Sequence, residues 1–110
     1  MRTLLPTLKE KKRYLLFRIL SKNSISKSQC EEAIQETLLK VLGELNCARA
    51  GIMFFGENYK DNTGIIRVGT QYVNDVKLAL ATIKKISGEI VTIEVIKVSG
   101  MIGKLKKKGF

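Results

Sequence analysis

The chain contains no histidine and no tryptophan, and among its 110 residues it has one proline and two cysteines. Histidine is the commonest general base in enzymes and a frequent zinc ligand, so its absence argues against independent catalysis and against a zinc centre. Cys30 and Cys47 lie far apart, without a CxxC spacing. We interpret both as small buried apolar residues in a reducing compartment.

Other catalytic patterns are missing too. The glycines at 51, 64 and 69 do not have the spacing of a phosphate-binding loop. Glu31, Glu32 and Glu36 cluster, but they fall on the polar face of a predicted helix, where a solvated surface is the ordinary interpretation. We therefore expect no catalytic residues and no metal or cofactor bound by the protein itself.

Long apolar runs are also absent. No run approaches the roughly 20 residues of a membrane span, and the N-terminus, MRTLLPTLKEKKR, lacks the apolar centre and cleavage site of a secretory signal. We expect a cytoplasmic protein that does not cross a membrane. Its length predicts one domain over residues 1–110, with a basic segment (1–12), a core (13–98) and a basic C-terminal helix or tail (99–110).

Positive charge is abundant and segregated. The net charge is +10; residues 1–13 hold five basic residues and one acidic, residues 97–110 hold five basic and no acidic, so these ends carry nine of the ten net charges. This distribution favours a polyanionic partner, nucleic acid first and an acidic membrane second. The alternative is a pair of solvated tails that only keep the protein soluble.

Hydrophobic periodicity predicts the order β-α-β-β-α-β. The predicted strands are 13–20, 51–58, 65–69 and 90–98. The first helix is predicted to begin at a cap on Ser26 or Ser28 and to end at Asn46, and the second runs from residue 70 or 71 to the Ser87–Gly88 pair. Ser99 can cap a final short helix.

This order is the split βαβ pattern of ferredoxin-like and RNA-recognition-motif folds. We predict an α+β sandwich, with both helices on one face of a four-stranded antiparallel sheet whose strands are ordered fourth, first, third, second. The start of the first strand then lies near the end of the last. Residues 9–13 and 97–108 would therefore form one basic patch.

The sheet face that the helices leave uncovered, here called the open face, can also be predicted. It would present Tyr14, Leu16 and Arg18 from the first strand. Its other residues are predicted to be Ile65, Arg67, Gly69, Ile90, Glu94, Ile96 and Val98. Glu94 would pair with Arg18. Tyr14 is the one predicted base-stacking residue, which gives weak support to sequence-specific single-strand readout. A face this apolar should be covered by an end of the chain or by a partner.

Three segments resemble the archaeal ribonuclease P protein component 2 family: LPTLKEKKRYLLFRI (4–19), TGIIRV (63–68) and VSGMIGKLKK (98–107). The resemblance implies a subunit of the ribonucleoprotein endonuclease that removes the 5′ leader from precursor tRNA. The RNA catalyses cleavage with magnesium in that family, so magnesium is expected on the partner RNA. The implied partners are ribonuclease P RNA, protein component 3, precursor tRNA indirectly, and a second copy within a heterotetramer.

Charge and resemblance together give the candidate RNA-binding residues. They are Lys9, Lys11, Lys12, Arg13, Arg67, Lys97, Lys104, Lys106, Lys107 and Lys108. Two other hypotheses remain open at this point. A ferredoxin-like protein-interaction or regulatory module would have a discrete ligand pocket and no RNA affinity, and a stand-alone RNA-modifying enzyme would be active without an RNA cofactor.

Overall fold

The computed structural model describes residues 11–101. In chain order the elements are β1 (Lys12–Leu20), α1 (Lys27–Ala50), β2 (Met53–Phe54), β3 (Thr63–Gly69), α2 (Val73–Ala81), β4 (Lys85–Ile86), β5 (Glu89–Ile90) and β6 (Thr92–Ser99). Two 3-10 turns, Gly56–Asn58 and Thr70–Tyr72, follow β2 and β3. The C-terminal helix or tail was predicted over 99–110, and residues 102–110 of it lie outside the described part of the chain.

The main sheet is antiparallel, with the order β2-β3-β1-β6. This is the predicted order, and it makes β1 a central strand with β3 on one side and β6 on the other. The predicted α+β sandwich is confirmed. It follows from the βαββαβ order of elements. The first helix lies between β1 and β2, the second lies between β3 and β6, and neither pair of strands is adjacent in the sheet.

The core lies between this sheet and the two helices. Leu15, Phe17 and Ile19 of β1 are 0%, 0% and 2% exposed, and they pack with the buried residues of α1 and α2. These three alternate along the strand and therefore point to one face. The predicted division of β1 into a core side and an open side is confirmed.

Helix α1 differs from its prediction at its C-terminal end. Ser26 caps it with Gln29 in a capping box, as one of the two predicted caps requires. The helix breaks at Gly43, whose φ of 85° and ψ of 163° are not helical, and helical residues then continue past Asn46 to Ala50. The side-chain amide of Asn46 donates to the carbonyl of Leu42 across this break. The helix ends at Gly51, whose φ of 61° is the left-handed conformation that glycine adopts without a steric penalty.

A second correction concerns the segment after α2. The predicted helix end at Ser87–Gly88 is instead the turn of a separate two-stranded hairpin, β4–β5. Ser87 and Gly88 have φ values of 50° and 86°. Two successive positive φ angles are typical of the tight turns that join hairpin strands. Ile90 therefore belongs to this hairpin, and it does not extend the fourth strand of the main sheet.

A bulge interrupts β6. Leu16 pairs with Lys97, and the next residue, Phe17, pairs with Val95, so Ile96 is an extra residue. An extra residue reverses the alternation of the strand beyond it. Val98 consequently pairs with Leu15 and packs against the core, although strict alternation placed it on the open face.

Candidate nucleic-acid interface

The described parts of the two basic segments, residues 11–13 and 97–101, meet at one end of the sheet. Tyr14 of β1 pairs with Ser99 of β6. A β-carbon added to Gly100 would lie 3.5 Å from Nη1 of Arg13. The predicted proximity of the two segments is thus observed for the residues nearest the sheet. The remaining candidate cations lie outside the described residues: Lys9, Lys104, Lys106, Lys107 and Lys108.

The start of β1 is held by the turn that follows β3. The backbone N–H and the hydroxyl of Thr70 both donate to the carbonyl of Lys11, each at 3.0 Å. Lys12 pairs with Gly69, and Nη1 of Arg13 donates to the carbonyl of Lys12 at 3.0 Å. Three consecutive basic residues are therefore attached to backbone with defined hydrogen bonds.

These cations divide between the two faces of the sheet. Lys12 has the same parity along β1 as Tyr14, and therefore lies on the open face, whereas Arg13 has the parity of the core residue Leu15. Arg13 sits at the end of the sheet and is partly exposed there. The predicted cations thus surround the end of β1, and only some of them share its open face.

Lys97 and Arg67 flank β1 on the open face. The bulge at Ile96 puts Lys97 opposite Leu16, while Arg67 of β3 lies opposite Tyr14. Their Cα atoms are about 12 Å apart, since two strand spacings and a two-residue offset separate them. Within the described chain no acceptor is bonded to the buried Nε of Arg67.

Arg18 is already paired. Its Nη2 donates to Oε1 of Glu94 at 2.7 Å, and the two side chains are 50% and 45% exposed. The predicted cross-strand pair is confirmed. Glu94 compensates the charge of Arg18. Among residues 11–101, the cations of this face that form no ion pair lie toward Lys12, Arg67 and Lys97.

A small apolar cluster occupies the middle of the open face. Leu16 and Ile65 are buried, and Tyr14 and Phe55 pack against them. The Tyr14 and Phe55 rings meet edge to face, with centroids 5.9 Å apart and planes at 65°. Sequence periodicity predicted Tyr14 as the aromatic residue of this face and did not predict Phe55.

The alternation of side chains along an extended segment would have predicted Phe55 on the open face. Phe54 and Phe55 are consecutive residues of an extended segment, so one must point to each face. Phe54 packs in the core, 6.3 Å from Phe17 and 6.2 Å from Tyr59 between ring centroids. The open face therefore carries two aromatic rings.

Nucleophilic chemistry has little basis in the described residues. Burial raises the pKa of the Cys30 thiol to about 12 and also raises the pKa of Cys47, so both thiols are protonated at neutral pH. Burial raises the pKa of Tyr59 as well. Between residues 11 and 101, no group of three His, Cys, Asp or Glu residues is arranged to hold a metal ion.

A groove of about 290 Å³ runs between α1 and the β2 side of the sheet. Leu39, Cys47, Ile52 and Phe54 are among its apolar walls, and Glu31 and Gln35 are its polar side chains. Ligand sites normally combine apolar walls with several convergent polar groups. This groove gives little support to the hypothesis of a small-molecule regulatory module.

In the described region, neither helix is both long and apolar enough for a membrane span.

A four-stranded antiparallel sheet with two helices on one face and the order βαββαβ defines an α+β protein of ferredoxin-like fold. Residues 13–109 match the sequence model of the Rpp14/Pop5 family, and the chain belongs to that family. The predicted family resemblance is confirmed.

Curated relatives agree with this assignment. The chain is 40% identical over 107 residues to "Ribonuclease P protein component 2" of Pyrococcus furiosus, covering 97% of this chain and 89% of that protein. It is 39% identical over 108 residues to the protein of the same name from Pyrococcus abyssi, covering 98% and 92%. A chain in the cryo-EM structure of yeast ribonuclease MRP has the same fold, with a TM-score of 0.68 at 14% identity over 84% of this chain and 76% of that one.

Proposed function

We propose that this chain is a non-catalytic protein subunit of ribonuclease P, which binds and stabilises the catalytic RNA for removal of the 5′ leader from precursor tRNA. The family and the named relatives indicate a protein subunit of ribonuclease P or ribonuclease MRP. The proposal that this chain itself binds RNA rests on the arrangement of its charges.

The pairing of Tyr14 with Ser99 carries the proposal. It brings residues 11–13 close to residues 97–101, which belong to two basic segments that are distant in sequence. Each lysine or arginine that neutralises a phosphate releases condensed counterions, which supplies most of the sequence-independent affinity for nucleic acid. Two weak basic segments thereby act as one polyanion-binding surface.

The protein's contribution in this mechanism is binding and preorganisation. No acid, base or metal ligand is required of it, and magnesium is expected on the RNA. Cations at the sheet end reduce the repulsion between phosphates that a folded RNA brings together. The RNA then reaches its active geometry at a lower magnesium concentration.

We also propose the partners that the family resemblance implies: ribonuclease P RNA, protein component 3, precursor tRNA indirectly, and a second copy within a heterotetramer. Val41 and Leu45 of α1 are 44% and 63% exposed, and Leu78 of α2 is 63% exposed. A protein partner on the side opposite the open face would bury these three apolar side chains. A cytoplasmic location is part of the same proposal.

Reconstitution tests the proposal. Precursor tRNA cleavage by the RNA is measured at limiting magnesium, with and without this chain and its protein partner. We expect the full chain to raise the rate and a Lys12→Ala, Lys97→Ala double variant to raise it less. A Lys40→Ala variant is the control, since Lys40 is an exposed lysine of α1. Unchanged rates with the full chain would refute the proposal and favour a regulatory module.

A further inference from the structure

A hollow of about 270 Å³ lies at the outer edge of the sheet, beyond β2. It is bordered by the end of β2 and the 3-10 turn that follows. Its lining residues are Met53, Phe54, Phe55, Gly56, Glu57 and Asn58. The volume is just below the roughly 300–1,000 Å³ of pockets for drug-sized ligands, so the hollow suits one planar ring system.

The Phe55 ring is held in place at the border of this hollow. Its backbone N–H donates to the carbonyl of Ile65 at 3.0 Å, and its ring packs on Tyr14 and on the buried Leu16. Met53 beside it is 45% exposed. An aromatic ring and a thioether therefore form a preorganised apolar wall that remains partly accessible to solvent.

Two cations flank the wall. Arg67 lies directly opposite Met53 across the strand pair. Lys27, the first residue of α1, crosses over Gly56: a β-carbon there would lie 2.9 Å from Cδ and 3.5 Å from Nζ of Lys27. Because Gly56 has no side chain, the Lys27 side chain can pass over it and place its ammonium group beside the hollow. Glu57, which is exposed, supplies the opposing charge at the rim.

We propose that this hollow binds an unpaired nucleobase of the RNA against Phe55, with the adjoining phosphates at Lys27 and Arg67. The inference rests on the proposed function, which it deepens by naming the part of the RNA that is recognised. Aromatic side chains stack on bases whose faces are free, and a base inside a duplex has both faces covered by its neighbours. Neither Phe55 nor Lys27 was predicted from the sequence to contact RNA.

Fluorescence provides the direct test. The chain has no tryptophan, so Phe55→Trp introduces a single reporter at the wall of the hollow. The full-length variant is titrated with a single-stranded octaribonucleotide and with a duplex of the same sequence. We expect the single strand to quench the tryptophan strongly and the duplex to leave it nearly unchanged. Equal quenching by both, or RNA binding without quenching, would overturn the inference.

A second test measures RNA affinity in variants that change only the side chain at position 55. Phe55→Leu keeps an apolar side chain over Leu16 and Ile65 but removes the ring. We expect about five- to tenfold weaker binding of the single strand, unchanged binding of the duplex, and recovery in Phe55→Tyr. Tyr72→Leu is the control, because Tyr72 is an aromatic outside this hollow whose hydroxyl is 3.5 Å from Oδ1 of Asn46.

The outcomes separate this inference from the function on which it rests. If the unaltered chain binds neither RNA form, the proposed function fails. If Phe55→Leu binds both forms as the unaltered chain does, only the nucleobase site fails. Quenching of Phe55→Trp by purified protein component 3, with none by RNA, would assign the hollow to a protein partner and overturn the inference.

Discussion

Lys97 lies opposite Leu16 on the open face of the sheet, and the bulge at Ile96 is the reason. Without that extra residue, Lys97 would have the parity of Val95, which packs against the core. One inserted position thus moves a cation onto the face that presents Lys12 and Arg67, and returns Val98 to the core.

Replacing Lys97 with alanine should lower the affinity for RNA and should also make that affinity less dependent on salt. Loss of one phosphate contact is expected to reduce the slope of log affinity against log salt by about one. The affinity of the variant and of the unaltered chain is measured from low to high salt. Lys40→Ala, on the exposed face of α1, should keep the original slope; an unchanged slope for Lys97→Ala would remove it from the interface.

Truncating Phe17 to alanine should destabilise the fold by about 3–5 kcal/mol. Phe17 is 0% exposed and contacts the core from the centre of β1, so the cavity left behind cannot fill from solvent. Urea unfolding of both proteins measures the difference. Leu45→Ala serves as the matched control, because Leu45 is 63% exposed and its truncation should change stability by about 0.5 kcal/mol or less.

Gly64 should tolerate no larger residue. It lies opposite Phe17, and an added β-carbon would lie 2.8 Å from Cζ of Phe17 and 3.0 Å from Cδ1 of Tyr59. Overpacking of this kind typically costs about 1–3 kcal/mol, which thermal or urea unfolding of Gly64→Ala would detect. Gly100→Ala meets its nearest atom at 3.5 Å and should leave the unfolding transition where it is. Equal stability of the two variants would contradict this packing.

Arg18 and Glu94 should show a small coupling energy. Both side chains are about half exposed, so water and salt screen their attraction, and a double-mutant cycle should give roughly 0.2–1 kcal/mol. The cycle uses the unfolding free energies of both single alanine variants and the double variant. We expect the coupling to shrink as salt is added, and a coupling that is insensitive to salt would argue against an ionic pair.

Stability should fall at alkaline pH through Cys30. Burial raises the pKa of its thiol from 9.0 to about 12 in the folded chain. Between these values the unfolded chain has released the thiol proton while the folded chain retains it, so raising the pH favours unfolding. Below pH 9 the thiol contributes no slope. Tyr59, whose pKa is also raised, acts in the same direction at higher pH.

Unfolding free energies measured from neutral pH to pH 11 test this. Cys30→Ala removes the thiol, so its stability should decline less steeply above pH 9 than that of the unaltered chain. A Cys47→Ala variant should retain the steeper decline, because Cys47 is only partly buried. Parallel curves for the unaltered chain and Cys30→Ala would exclude the thiol as the cause.

Much of the fold could be predicted because local patterns and global rules agree. The alternation in β1 identified Leu15, Phe17 and Ile19 as core residues, and the order of elements then determined the strand neighbours. The Arg18–Glu94 pair followed from that order. These features depend on side-chain periodicity, which a sequence displays directly.

The features that escaped prediction depend on backbone geometry. The bulge at Ile96 sits inside IVTIEVIKV, where seven of the nine residues are β-branched and strict alternation was assumed throughout. Asn46 and Gly51 both suit a helix end, and Ser87–Gly88 suits either a helix end or a hairpin turn. Lys27 reaches Gly56 through tertiary packing alone, so no spacing in the sequence could reveal that contact.

The pair between Arg18 and Glu94 gives the open face a direction. Among residues 11–101, the positive charge at one end of β1 is paired with a carboxylate and that at the other end is not, so the electric field along the strand is graded. A polyanion arriving by diffusion would be steered toward the Lys12 end before any specific contact forms, and such steering raises association rates most at low ionic strength. An internal ion pair of little energetic value can in this way determine the orientation in which a polyanion first meets the protein.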